Sequence, residues 1–233
     1  MSDVASKVYL LTGGGGAIAA SIADAFAAAG ARLALVDRQL EYVQERARAL
    51  GGRAFAADLS KYEQVQTLVS QVRQQMGRLD GLIHTAGGFS GGKVAESDPA
   101  LYDRMFDLNV RTLFYATRAV LPVLLEHNDG FVAGISAGAA WRGAGPGMAL
   151  YTAAKSAVAA FLRSLDAELK GTNIRVAVLY PMGTVDTPAN RRDMPGTDPT
   201  TWIDPAEIGQ TLLYAASRSA RGRVLELPVY PPR

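Results

Sequence analysis

Two side chains four residues apart, Tyr151 and Lys155, have the chemistry needed to move a proton. They open a stretch of helical period, and i, i+4 spacing puts both on one face of a helix. An ammonium close to a phenol favours the phenolate and lowers a pKa that is ordinarily about 10. Tyr151 could then exchange a proton with a carbonyl oxygen as hydride moves, and Ser136, after a predicted strand, could hold that oxygen. The same residues could also be a surface pair and a cap or turn serine.

A glycine-rich segment, TGGGGAIA at residues 12–19, joins a predicted strand to a predicted helix. Gly14, Gly16 and Ala19 fit the pattern G-x-G-x-x-[G/A]. Glycines there allow a tight turn, and the helix N-terminus offers free N–H groups and a positive dipole end to a pyrophosphate. Glycine-rich turns also serve packing, so this motif alone is a weak indication of a dinucleotide site.

Polar and small residues follow the next three predicted strands. Asp37 ends the second strand, where an acidic side chain can bind ribose hydroxyls and repel a 2′-phosphate. Asp58 ends the third and could accept from the adenine amino group, although either aspartate could simply cap a helix. Residues 86–88 let the backbone pass close to a cofactor, or form a plain turn. Together these features predict a nicotinamide dinucleotide, with NAD(H) preferred; Arg38 leaves NADP(H) open, since a guanidinium can accept the phosphate.

These candidates are placed by short apolar runs that alternate with helical segments. The predicted strands are residues 8–11, 33–36, 54–57, 79–83, 131–135, 174–179 and 224–227. The predicted helices are residues 18–29, 40–50, 62–76, 101–126, 152–170 and 205–216. Strand and helix alternation of this kind predicts an α/β protein: a single-domain Rossmann fold over residues 1–233, with a doubly wound, seven-stranded parallel sheet and helices on both faces. Residues 182–204 form the one long loop, which we interpret as a substrate lid.

Composition narrows the classes of function. The chain of 233 residues is 48% hydrophobic and 20% charged, and its formal charge is +2. No cysteine and only two histidines occur, which argues against disulfides and against a metal site. Basic residues do not cluster, so no nucleic-acid partner is expected. The longest weakly charged stretch is interrupted by charge and glycine, which argues against a membrane span, and residues 1–7 make a poor signal peptide. We therefore expect a cytoplasmic protein that binds a small-molecule substrate.

The sequence resembles the short-chain dehydrogenase/reductase family over essentially its whole length. The family's T-G-x-x-x-G-x-G loop corresponds to residues 12–19, its N-N-A-G turn to 84–87 and its P-G-x-[IV]-x-T segment to 182–187. The resemblance implies a catalytic set of Asn109, Ser136, Tyr151 and Lys155. It implies a cofactor-binding set of Gly13, Gly14, Gly16, Ala17, Ile18, Asp37, Asp58, Leu59, Ala86, Gly87, Tyr151, Lys155, Val185 and Thr187.

Several residues depart from the family pattern. Ala17 and Ala19 replace glycines, and each added methyl could crowd the pyrophosphate or the packing beneath the helix. His84 and Thr85 replace the two asparagines of the turn, and we interpret His84 as a buried, hydrogen-bonded residue rather than a base. The alanine substitutions lend some support to a rival hypothesis, a non-catalytic dinucleotide-sensing or scaffold protein. The complete Ser136, Tyr151 and Lys155 set argues against that rival.

A narrower resemblance concerns the substrate. Residues 86–92, 145–151 and 185–195 are similar to loops of the dihydropteridine reductase branch, which implies a dihydropterin-like substrate. Ser136 and Asn109 instead fit ordinary carbonyl reductases, so a carbonyl or alcohol substrate stays open.

Two helical segments carry more apolar surface than one sheet contact needs. The residues that widen this surface are Phe106, Leu113 and Leu124 in the fourth predicted helix and Ala159, Leu162 and Leu169 in the fifth. Pairing of these helices with their copies would bury the excess, as the family resemblance also implies. A homodimer or homotetramer is therefore expected.

Overall fold

Seven strands form one parallel sheet in the computed structural model, which describes residues 4–233. The strands are β1 (Val8–Thr12), β2 (Arg32–Asp37), β3 (Arg53–Ala56), β4 (Gly81–His84), β5 (Asp129–Ile135), β6 (Asn173–Pro181) and β7 (Glu226–Val229). Their order is β3-β2-β1-β4-β5-β6-β7, and every neighbouring pair is parallel. The order reverses between β1 and β4, and ligands of such sheets bind outside the carboxyl ends of the strands at that switch point.

Nine α-helices connect these strands across the described residues. They are α1 (Ala17–Ala28), α2 (Glu41–Ala49), α3 (Tyr62–Met76), α4 (Pro99–Phe106), α5 (Thr112–His127), α6 (Gly138–Arg142), α7 (Ala149–Glu168), α8 (Pro188–Asp193) and α9 (Pro205–Ala216). The apolar faces of α1, α2 and α9 pack on one side of the sheet. Those of α3, α5 and α7 pack on the other. The predicted doubly wound, seven-stranded Rossmann fold is confirmed.

The central strands are apolar because both of their faces are covered. Every residue of β1 and of β4 is buried. Thr12, the last residue of β1, lies beside Val36 of β2 and His84 of β4. The carboxyl ends of the three strands are therefore level, and the residues that follow them meet at one edge.

Some predicted boundaries are wrong. The predicted helix at 101–126 is two helices, α4 and α5, joined by a π-helical turn at Asp107–Arg111. Strands β4 and β7 begin two residues later than predicted, and β3 ends at Ala56, so Asp58 lies beyond it. The loop at 182–204 contains α8 and a bridge between Val185 and Ile203. Residues 1–3 of the predicted domain lie outside the described residues.

The predicted apolar excess on two helices is also wrong for five of its six residues, since Phe106 alone is only half-buried. Leu113, Leu124, Ala159, Leu162 and Leu169 are all buried in the chain's own core. The covering of the sheet accounts for them fully, so they leave no surface for a partner. The aromatic residue exposed on α5 is a different one, Phe114, which meets Phe161 of α7 edge to face with ring centroids 6.2 Å apart.

Among residues 4–233, no helix combines the length and the apolar character needed to cross a membrane.

Candidate active site

Two adjoining cavities open at the carboxyl ends of the strands. The larger, of about 1110 Å³, is lined by Gly13, Gly14, Gly16, Ala17 and Thr187, among others. The smaller, of about 800 Å³, is lined by Gly87, Ser136, Tyr151, Lys155 and Val185, among others. Ile18 and Thr85 line both. The structure thus brings together most of the predicted site residues along one continuous crevice.

The glycine loop is shaped by close packing. Gly13 has φ +63°, and a Cβ there would lie 2.9 Å from the backbone nitrogen of Ala86. A Cβ on Gly14 would lie 2.8 Å from Cγ1 of Val43. The loop is further held by the N–H of Gly14, which donates to the Val36 carbonyl oxygen at 2.9 Å. Both glycines are therefore required by the fold itself, independently of any ligand.

Helix α1 begins directly after this loop, at the wall of the larger cavity. Gly16 occupies its N-cap position, and no side chain of the described residues caps it. The first-turn N–H groups of a helix have no intrahelical acceptor and carry the positive end of its dipole. This uncapped start suits the pyrophosphate of a dinucleotide. Ala19 is buried in the core beneath α1, where its methyl group packs.

Asp37 ends β2, as predicted, and lies against the glycine loop. Its Oδ2 accepts a hydrogen bond from the Gly15 N–H at 3.1 Å, and its Oδ1 accepts from the Arg38 N–H at 2.7 Å. A Cβ on Gly15 would lie 3.2 Å from Oδ2. Two backbone N–H groups therefore fix the Asp37 carboxylate beside Gly15, which lines the larger cavity.

Asp58 and Leu59 lie outside both cavities. Oδ1 of Asp58 accepts from the N–H and the hydroxyl of Ser60, at 2.9 and 2.7 Å, ahead of α3. The hydroxyl of Ser60 is the main cause that holds the pKa of Asp58 below its ordinary value. Leu59 is buried in the core. These contacts are those of a turn that leads into a helix, and the adenine contact stays a prediction.

His84 is buried at the end of β4, within a closed network of three residues. Thr112 donates its hydroxyl proton to the Leu108 carbonyl oxygen at 2.7 Å, so its oxygen accepts from His84 Nε2 at 3.2 Å. Nδ1 of His84 is then the acceptor for the Thr12 hydroxyl at 2.9 Å. Burial is the main reason that the pKa of His84 falls to about 3. His84 is thus neutral, and its predicted structural role is confirmed.

The same network sets the turn after β4. The hydroxyl oxygen of Thr12 accepts from the backbone N–H groups of Thr85 and Ala86, at 3.2 and 3.3 Å. Thr85 in turn donates its hydroxyl proton to the Thr12 carbonyl oxygen at 2.6 Å. Ala86 is therefore held against Gly13, where the two backbones are in direct contact.

Asn109 is buried in the π-helical turn between α4 and α5. Its Nδ2 donates to the carbonyl oxygens of Gly88 and Met105 at 3.0 and 2.9 Å, and its Oδ1 accepts from the Gly88 N–H at 3.3 Å. A Cβ on Gly87 would lie 2.7 Å from that Oδ1. Asn109 thus fixes the backbone of a loop that lines the smaller cavity. Single π turns are frequent at functional sites.

Ser136, Tyr151 and Lys155 lie where β5 ends and α7 begins. Nζ of Lys155 donates to the Ile135 carbonyl oxygen at 3.0 Å and lies 6.0 Å from the ring centroid of Tyr151. The hydroxyl of Ser136 donates to the Lys155 carbonyl oxygen at 2.8 Å. In this arrangement the Ser136 proton is engaged, and donation to a substrate oxygen needs a rotated hydroxyl.

Burial dominates the pKa values of this pair. It raises the pKa of the Tyr151 phenol above its ordinary value of 10.0. It lowers the pKa of the Lys155 ammonium from its ordinary value of 10.5 to about 8. The predicted lowering of the Tyr151 pKa is therefore wrong for this arrangement. The lysine nitrogen is turned toward a backbone carbonyl, and the phenol is shielded from water.

The segment after β6 lies over both cavities. Val185 is buried, and its carbonyl oxygen accepts from Nδ2 of Asn190 at 2.8 Å. Oγ1 of Thr187 accepts from the Asn190 N–H at 3.2 Å and so caps α8. Local hydrogen bonds therefore hold Val185 and Thr187 at the junction of the two cavities.

Several residues of the smaller cavity were not predicted individually as site residues, although all but one lie in the segments compared above with the dihydropteridine reductase branch. Phe89 meets Tyr151 edge to face, with ring centroids 5.0 Å apart. The others are Arg142, Met148, Asn190 and Met194. They lie on loops or short helices, and no spacing in the sequence marks them.

The fold and the site define a class of protein, the Rossmann-fold oxidoreductases that use a tyrosine and lysine pair beside a dinucleotide crevice. Residues 7–197 match the family described as short chain dehydrogenase. The chain belongs to this short-chain dehydrogenase/reductase family and is an enzyme, an oxidoreductase.

Individual relatives agree with this assignment. The chain is 28% identical to an uncharacterized oxidoreductase of Staphylococcus saprophyticus, over 99% of the chain and 100% of the relative. It is 33% identical to 2-(S)-hydroxypropyl-CoM dehydrogenase 3 of Xanthobacter autotrophicus, over 83% of the chain and 77% of the relative.

Solved structures show the same fold. A short-chain dehydrogenase/reductase from Serratia marcescens superposes with a TM-score of 0.87 at 26% identity, covering 98% of each chain. A metagenomic short-chain oxidoreductase in complex with NADP superposes with a TM-score of 0.83 at 26% identity, covering 100% of each chain.

Proposed function

We propose that this enzyme prefers NAD(H) and transfers hydride between the nicotinamide and the carbonyl or alcohol carbon of a small substrate. The observation that carries the proposal is that three residues with the chemistry for proton transfer lie on one wall of the smaller cavity. Ser136, Tyr151 and Lys155 all line it, and it adjoins the larger cavity at the uncapped start of α1. A dinucleotide laid along both cavities would place its reactive ring beside the tyrosine.

The residues present fit such a cofactor. The first turn of α1 would hold the pyrophosphate, Lys155 the nicotinamide ribose, and Val185 and Thr187 the carboxamide. A nicotinamide bound there would supply the hydride for reduction of the substrate carbon. The α8 segment within residues 182–204 would exclude water when substrate is bound.

Tyr151 would supply the proton for the substrate oxygen. Its raised pKa keeps the phenol protonated near neutral pH, which is the form a proton donor must have. Asn109 would act by positioning the loop at Gly87 and Gly88 and by anchoring a water relay to Lys155.

The preference for NAD(H) rests on Asp37. Its carboxylate is fixed by two backbone N–H groups beside Gly15 and would repel a 2′-phosphate placed there. NADP is bound by one structural neighbour, which is a property of that protein. Arg38, next in the chain, leaves NADP(H) as the alternative cofactor.

Other predictions stay as such: a dihydropterin-like substrate, a cytoplasmic location, and assembly as a homodimer or homotetramer. Exposed Phe114 of α5, which contacts half-buried Phe161 of α7, supports pairing of α5 and α7 with their copies.

The experiment is the substitution Tyr151→Phe, assayed by NADH absorbance on a panel of ketones, alcohols and quinonoid dihydropterin. We expect turnover to be abolished and NADH binding, measured by fluorescence, to be nearly unchanged, because only the hydroxyl is lost. Tyr102→Phe, which alters an exposed tyrosine of α4, is the matched control. Substantial turnover by Tyr151→Phe would show that the proton comes from another group.

A further inference from the structure

The charges on the wall of the smaller cavity are all positive. Among the described residues that line it, Arg142 and Lys155 are charged and none is an aspartate or a glutamate. Nζ of Lys155 is buried and donates to a backbone carbonyl oxygen. Arg142 is exposed and is the charged group of this wall that a substrate can reach without displacing that bond.

A neutral side chain holds Arg142 in place. Nη2 of Arg142 donates to the hydroxyl oxygen of Tyr230 at 2.8 Å, and its guanidinium lies 5.1 Å from the centre of that ring. Stacking on an aromatic ring restricts a guanidinium while leaving its charge unneutralised. Tyr230 is itself braced, since the preceding Val229 accepts a hydrogen bond from the Met182 N–H at 2.8 Å.

The other arginines of this region have acidic partners. Arg191 forms a two-bond ion pair with Asp186, at 2.6 and 2.7 Å. Arg192 lies 4.0 Å from Asp193. Within residues 4–233, Arg142 forms no ion pair. The cavity thus carries one pre-positioned cation with open capacity for an anion.

Four large apolar side chains also line this wall, beside polar residues such as Ser136 and Asn190. Phe89, Met148, Met182 and Met194 line the space around Tyr151. Thioether side chains adapt to varied hydrocarbon shapes. This surface suits a short hydrocarbon chain between a carbonyl group and a charged end.

We infer that the substrate is a keto acid, or the matching hydroxy acid, whose carboxylate pairs with Arg142 while its carbonyl oxygen faces Tyr151. The inference rests on the proposed function, because it names the substrate class of the same site. In reduction, hydride from the dihydronicotinamide forms the new C–H bond and the carbonyl oxygen takes a proton from Tyr151. The carboxylate takes no part in the chemistry and fixes orientation through charge-assisted hydrogen bonds.

The test compares levulinate with its methyl ester, and homologues of both that are longer by one and two methylenes, with NADH saturating. The quantity measured is the ratio of kcat/KM for each acid to that for its ester. We expect the wild type to favour the acid, and Arg142→Gln to lower the ratio roughly tenfold. Arg142→Lys should keep part of the preference. Added salt should reduce it, because the pair is exposed.

The matched control is Arg218→Gln. Arg218 also stacks on a tyrosine, with its guanidinium 4.3 Å from the Tyr214 ring centre, but lies at the end of α9 away from the crevice. The acid-to-ester ratio of Arg218→Gln should equal that of the wild type. A wild-type acid-to-ester ratio of about one would overturn the inference and leave the proposed function standing. So would an acid-to-ester ratio in Arg142→Gln equal to that of the wild type.

A binding arm covers the case in which none of these ketones turns over. Pentanoate is titrated into the NADH complex and followed by NADH fluorescence. Binding that Arg142→Gln weakens roughly tenfold supports the inference, and no binding to the wild type overturns it. Failure of NADH itself to bind would refute the proposed function. Reduction by Tyr151→Phe with the acid preference retained would remove only the assigned proton donor.

Discussion

Replacing Lys155 by methionine should change the pH dependence of stability in a predictable direction. The folded chain holds this ammonium in a buried site, where its pKa falls from 10.5 to about 8. Burial of this charge therefore costs the folded chain on the order of 3 kcal/mol at neutral pH. The same change removes a hydrogen bond to Ile135, which costs about 1–3 kcal/mol. Near pH 7, Lys155→Met should therefore be between neutral and about 2 kcal/mol more stable than the wild type.

The direction in which the free energy of unfolding changes with pH follows from the number of protons bound by the folded and unfolded chains. Between the folded pKa near 8 and the unfolded value of 10.5, the unfolded chain binds more protons at Lys155 than the folded chain does. The stability of the wild type therefore rises with pH across this window, relative to a variant that lacks the lysine. Integration from about pH 7 to about pH 9.5 gives roughly 2 kcal/mol.

The assay is urea unfolding of both proteins at matched protomer concentrations, followed by tryptophan fluorescence. The quantity is the difference in unfolding free energy between variant and wild type at each pH, in which all other titrating groups cancel. Lys170→Met, at an exposed lysine just after α7, is the control and should differ from the wild type by a constant amount. A Lys155→Met difference that stays constant or grows with pH would refute the reasoning.

Three further predictions concern cofactor, loop and assembly. Asp37→Asn should raise NADPH affinity relative to NADH, because the like charge is removed; titration of both cofactors checks this, and NADPH binding the wild type as tightly as NADH would contradict it. Asn109→Ala should cost about 2 kcal/mol of stability and lower turnover, since three hydrogen bonds are lost, as denaturation and kinetics would show. Light scattering should give a mass at least twice the 24.7 kDa of one chain, and Phe114→Glu should lower the measured mass toward that of one chain.

The sequence predicts the architecture well because its strands are continuous apolar runs. The predicted sheet has the right number of strands, since parallel strands covered on both faces have a distinctive composition. The residues after β1, β2 and β5 also lie where expected. The end of an apolar run in the sequence marks the end of each of these buried strands. Tyr151 and Lys155 lie on α7 as their spacing requires.

Features that depend on contacts between distant segments could not be predicted. The π turn at Asn109 breaks what periodicity presents as one helix. The raised pKa of Tyr151 depends on burial and on where Nζ of Lys155 points, neither of which spacing encodes. Arg142 reaches the cavity only because α6 and the C-terminal segment around Tyr230 meet, and the two are far apart in the chain.

The neutral His84 network has a consequence for kinetics. With a pKa near 3, His84 keeps one protonation state throughout the range in which the enzyme would be assayed. The other histidine, His127, is the last residue of α5 and lies at the end of that helix away from the carboxyl ends of the strands. A pH–rate profile of this enzyme therefore has no histidine limb. An alkaline limb of that profile is then expected to report Lys155, whose pKa burial lowers to about 8, and no histidine.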